Sequence, residues 1–142
     1  MLNVKYMLGL YQAIVAVAVF VFFSFSHVYR LVIPVEIGAV TIWWWLDILM
    51  LLGLLMALVV SFRRKRALDQ SESDSGLTRE YFEANLLFWA TIVAILWFIR
   101  SWFAFVLNLE NDFAWWTEID TLVILVLYPS GSYLMKQAKN GD

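Results

Sequence analysis

Apolar residues come in four long runs along this chain, at about 7–26, 42–62, 82–107 and 115–134, and each run is apolar around most of the circumference a helix presents. A helix needs about 20 such residues to cross a hydrocarbon core of about 30 Å, and lipid-facing helices are apolar on every side. The pattern predicts an all-α integral membrane protein, a four-helix bundle forming a single domain over residues 1–142 and built from two helical hairpins. Lys5 precedes the first run as a cation precedes a secretory signal. The apolar stretch is longer than the roughly 7–15 residues of a signal core, however, and "FFSFSHVY" offers no small-x-small cleavage site, so the run is read as a transmembrane helix.

The polar residues between the runs set the orientation. "RRKR", that is Arg63, Arg64, Lys65 and Arg66, ends the second run; Arg79 precedes the third, Lys136 and Lys139 follow the fourth, and Lys5 precedes the first. All of these fall on one side, whereas the opposite side carries Arg30 with Glu36, Glu110 and Asp112. The positive-inside rule makes the cation-rich side cytoplasmic, with both termini inside and the loop 63–81 as a polar, Ser-rich linker without a core of its own. The four cations of "RRKR" also suit contact with anionic lipid. Trp43, Trp44, Trp45, Trp102, Trp115 and Trp116 fall near the outer interface, as an aromatic belt does.

Composition sharpens the class. The chain is 63% hydrophobic, 18% aromatic and only 15% charged, with a mean hydropathy of +0.75, against roughly 45–50% apolar residues in soluble domains. A net charge of -2 gives no basic face for nucleic acid. The absence of cysteine removes disulfides, thiolate metal sites, iron–sulfur clusters and cysteine nucleophiles together. No HExxH, GxSxG, phosphate loop or CxxC occurs.

One arginine breaks the apolar pattern. "AILWFIRSW" places Arg100 far beyond Glu83, which marks the basic end of its run, and in the same way Asp47 is separated from Arg63 and Asp120 from Lys136. At about 1.5 Å per helical residue each separation amounts to roughly 24–25 Å, so all three charges reach nearly the same depth. Charges within a membrane face the bundle interior and pair, so Arg100 is expected to point inward and tie the third helix to the second and fourth. Structural glue is the plain reading of this layer; an ion or proton site is the sharper one, because one arginine does not neutralise two aspartates. His27 and Glu118 are further candidate ligands, but Glu118 and Asp120 are two positions apart and point to different sides of a helix, so no metal or other cofactor is assigned.

Smaller signals complete the reading. Gly9, Ala13 and Ala16, Gly53 and Ala57, and Ala90, Ala94, Ser101 and Ala104 mark faces where helices can approach closely. "YPSGS" at 128–132 predicts a kink in the fourth helix, or more ambitiously a broken helix at an ion site. His27 to Asp47 and Arg100 to Asp120 are equally spaced, and laying one pair over the other puts Trp43 on Trp116, which is compatible with a parallel repeat or with chance.

With almost no catalytic inventory, the expected function is that of a non-catalytic accessory or assembly subunit of a larger membrane enzyme or electron-transfer complex. Its partners would be lipids and other membrane subunits, in the cytoplasmic membrane of a prokaryote. The alternatives are a small homo-oligomeric transporter or channel using the Asp47, Arg100 and Asp120 layer, and a subunit supplying metal ligands to a membrane oxidase or monooxygenase. A transport path should continue across the membrane, and below the aspartates "ILMLLGLLMALVV" and "TLVILVLY" carry no charge.

Overall fold

The computed structural model describes residues 3–25, 38–71, 78–107 and 113–141. Four helices account for nearly all of them: α1 (Val4–Ser24), α2 (Gly38–Ser71), α3 (Arg79–Val106) and α4 (Phe113–Asn140). Among the described residues three spans are long and apolar enough to cross a bilayer, Val4–Ser24, Ile42–Gln70 and Arg79–Val106. The protein is a membrane-spanning helical bundle. The fourth expected span lies within α4, which is long enough but less apolar, because Glu118 and Asp120 sit near its start and "YPSGSY" occupies its second half.

Two helix ends lie outside the apolar runs, for local reasons. α2 continues past Phe62 to Ser71, so "RRKR" and the first part of the expected linker are helical. Lys65 and Asp69 support this extension with a 2.8 Å ion pair at i,i+4 spacing. α3 starts at Arg79, where the Thr78 hydroxyl caps the helix by accepting from the Tyr81 amide at 3.3 Å, and Arg79 pairs with Glu83 at 2.8 Å one turn later. α4 runs without a break through Pro129 to Asn140, so the broken-helix expectation is not what this segment does.

Contacts along the helices give an up-down-up-down bundle. Gly9 of α1 meets Gly131, Leu134 and Met135 of α4, Phe62 of α2 meets Phe88 of α3, and Gly53 of α2 meets Leu127 of α4. The closest packing joins α1 to α4 and α2 to α3; α4 also packs on α3 and, across the centre, on α2, and α1 touches α2 only lightly. Val19, Met50, Leu54, Phe98, Ile119 and Val123 fill the centre, each buried.

This topology sorts the two ends chemically. At one rim the aromatic side chains of all four helices meet edge to face: Phe22 with Trp43 at 5.4 Å, Trp44 with Trp102 at 5.9 Å and Phe98 with Trp116 at 6.1 Å. The two tryptophans of the shared offset thus do the same work, each lying edge-on to a phenylalanine of the preceding helix. Lys5, "RRKR", Arg79, Lys136 and Lys139 belong to the helix ends at the other, basic rim.

Candidate functional site

Between the rims the bundle holds polar groups at several depths. Asp120 lies on the inward face of α4 beside Ile119 and is 4% exposed. Asp47 of α2 is half-buried and close enough to act on Asp120 electrostatically. One Asp120 oxygen, Oδ1, is shut away from water and has no hydrogen-bond partner among the described residues. Ser101 of α3 is also buried, and its hydroxyl has no such partner either.

Arg100 is placed differently from the inward orientation that charge pairing suggests. Its buried neighbours on α3 are Phe98 and Ser101, and Arg100 itself is exposed on the outer side of the bundle. The reason lies in the helix period. Ala84, Leu87, Thr91, Ala94, Phe98 and Ser101 form one buried stripe at alternating spacings of three and four, and a residue one position before Ser101 is turned by about 100° away from it. Small and apolar side chains claim the inward stripe, which leaves Arg100 on the outward side with Phe82, Leu86, Trp89, Val93, Leu96 and Phe103.

The other candidates do not join the aspartates. Glu118 is exposed, and His27 lies outside the described residues. No group of three histidine, aspartate or glutamate side chains comes together among the described residues.

A residue that apolar patterning passes over stands deeper in the bundle. Gln12 of α1 is completely buried; its Nε2 donates to the Gly53 carbonyl of α2 at 3.4 Å, and its Oε1 has no partner among the described residues. Ser130 of α4, beside the Gly131 that packs on Gln12, is buried with its hydroxyl in the same condition. Tyr11 adds a 2.8 Å bond from its hydroxyl to the Leu49 carbonyl. One signal for Gln12 was available in the sequence: it is the one amide side chain inside the first apolar run.

At the basic rim Arg64 is the centre of a network. Its side chain is 14% exposed, lies 4.6 Å from the centre of the Tyr133 ring of α4, and reaches Glu80 and Glu83 of α3 at 3.8 and 3.9 Å. Gln137 donates to the Tyr133 hydroxyl at 2.6 Å. One arginine of "RRKR" thereby joins three helices. The arrangement is suited to holding the rim closed, with a planar cation stacked on a ring and flanked by carboxylates.

No protein-family model, curated protein or solved structure matches this chain.

Proposed function

We propose that this protein is a non-catalytic accessory or assembly subunit, a helical membrane module that packs against a larger membrane protein. The observation that carries this reading is the position of Arg100, a guanidinium on the outward side of α3 between Leu96 and Phe103. Ionisable side chains within membrane-spanning helices face other protein or a wet cavity far more often than lipid. A stripe of large, exposed apolar side chains that also carries an exposed arginine suits the face of a neighbouring membrane helix. On this reading the basic rim faces the cytoplasm of a prokaryotic cell, both termini lie inside, and α4 crosses the membrane with the other three helices.

Photo-crosslinking in native membranes tests the proposal. A photoreactive residue at Val93 or Leu96 is expected to yield an adduct with a second membrane protein, and the same residue at Val17 on the exposed side of α1 is not. Adducts with lipid alone at all three positions would refute it.

A second reading, a small oligomeric transporter, is favoured by one feature: the buried Asp120 oxygen without a hydrogen-bond partner, beside Asp47. An aspartate in that position can exchange a proton or accept a donor from an incoming solute. The same crosslinks separate the readings, because the transporter predicts adducts between copies of this chain. It also predicts flux in liposomes that Asp120→Asn abolishes.

A further inference from the structure

The four cations of "RRKR" fall into two pairs with different surroundings. Arg64 turns inward to Tyr133, Glu80 and Glu83, and Lys65 pairs along its own helix with Asp69. Arg63 and Arg66 make no ion pair among the described residues and are exposed. Their spacing of three places them on one side of α2, in line with Val59 and Phe62 one turn before.

That side borders a groove. α2 and α3 leave between them an apolar trough of about 590 Å³, lined by Val59 and Phe62 of α2 and Phe88 and Ile92 of α3, with Arg63 and Arg66 also in its lining. Phe62 and Phe88 touch across it with ring centres 6.1 Å apart. The trough reaches about half the depth of one leaflet, since Leu58, its innermost α2 residue, lies five positions before Arg63. Ile42 to Phe62 spans about 30 Å of helix, the thickness of the hydrocarbon core, so Arg63 is the first residue beyond it and the trough runs inward from the headgroup level.

We propose that this groove is a binding site for one anionic glycerophospholipid, with an acyl chain lying along Val59, Phe62 and Ile92 and the phosphate held between Arg63 and Arg66. Three features of the site agree in kind with such a molecule. The trough is almost wholly apolar and faces the lipid, its volume lies within the about 300–1,000 Å³ usual for small-molecule sites, and its charged lining groups are two arginines at headgroup depth. Arginine presents a planar fork matched to phosphate oxygens, and polybasic segments at a membrane surface attract anionic lipid. A zwitterionic headgroup lacks the net charge that suits two guanidinium groups with no ion pair among the described residues. The site is independent of Arg100 and of the aspartates.

Native mass spectrometry of the detergent-purified full chain with added phosphatidylglycerol or phosphatidylcholine tests the assignment. Wild type is expected to retain one phosphatidylglycerol in preference to phosphatidylcholine. Arg63→Gln with Arg66→Gln should weaken that retention roughly thirtyfold, since each arginine near an anionic headgroup contributes about fivefold. Lys136→Gln with Lys139→Gln removes the same charge from the same rim and should change retention less than about threefold. Val59→Trp fills the trough without changing charge and should also displace the lipid, and circular dichroism should show its helix content unchanged. Glycerol 3-phosphate alone should not compete, because it lacks the chain. Equal losses in the two double variants would reduce the site to diffuse surface charge, and full retention by Val59→Trp, or displacement by glycerol 3-phosphate, would remove the groove from it; either result overturns the proposal.

Discussion

Gly9 of α1 and Gly131 of α4 pack backbone to backbone: a Cβ atom on either would stand 2.6 Å from the carbonyl oxygen of the other. No side chain can yield there, because the obstacle is main chain on both sides. This contact lets the first and last helices approach most closely, and it brings Gln12 and Ser130 into the interior beside it.

Gly9→Ala and Gly131→Ala should therefore push α1 from α4 and cost about 1–3 kcal/mol each, the usual range for overpacking. Gly53→Ala is the comparison, since its Cβ would meet Leu127 Cδ1 at 2.9 Å and that methyl can rotate away. Thermal unfolding in detergent should rank Gly53→Ala as the mildest of the three. An unchanged midpoint for Gly131→Ala would mean that the helices are not in register at this contact.

At the basic rim the stacked ring should matter more than the acids. The carboxylates that Arg64 reaches are 3.8 and 3.9 Å away, and the Glu80 side chain is 66% exposed, so each ion pair contributes about 0–1 kcal/mol. A cation over an aromatic face, partly removed from water, contributes about 0.5–2 kcal/mol, and the ring also packs. Tyr133→Leu is expected to lower the unfolding midpoint more than Glu80→Gln. Tyr133→Phe should fall between them, because it keeps the ring and loses only the bond from Gln137. The reverse order would assign the rim's stability to its ion pairs.

Asp120→Leu separates a structural aspartate from a functional one. A buried oxygen without a hydrogen bond costs about 1–3 kcal/mol, and an apolar residue of similar volume removes that cost. The isolated bundle should be as stable as wild type or more so, while any activity that uses the carboxylate disappears. A drop of several degrees in the melting temperature would show instead that Asp120 holds the helices together.

Arg100→Leu should destabilise the isolated chain only modestly, by about 0–1 kcal/mol, the range for an exposed charged side chain that gives up an interaction within its own chain. In native membranes the same variant should lose its partner on affinity purification in mild detergent. Strong destabilisation of the purified monomer would return Arg100 to the role of internal tie.

Orientation can be read chemically because the chain has no cysteine. A cysteine introduced at Ser73, which lies outside the described residues, should resist an impermeant thiol reagent in intact cells and react once the membrane is opened. Labelling of intact cells would invert the topology.

Membrane class and helix positions were legible along the chain because both depend on sums over many neighbouring residues. A long row of apolar side chains outweighs any single exception, and the cations gathered at one rim for the same reason. A constant rise per residue gives Asp47 and Asp120 similar expected depths whatever their partners. Facing was not legible. Whether Arg100 turns in or out depends on about 100° of rotation per residue and on which stripe of α3 the other helices accept, and Ala94, Phe98 and Ser101 won that competition by packing. The division of "RRKR" into Arg64, stacked inward on Tyr133, and Arg63 and Arg66, left facing a groove, likewise arises only when α2, α3 and α4 meet. The burial of Gln12 depends on Gly9 and Gly131 drawing two helices together from opposite ends of the chain, a contact between residues too far apart for any local pattern to record.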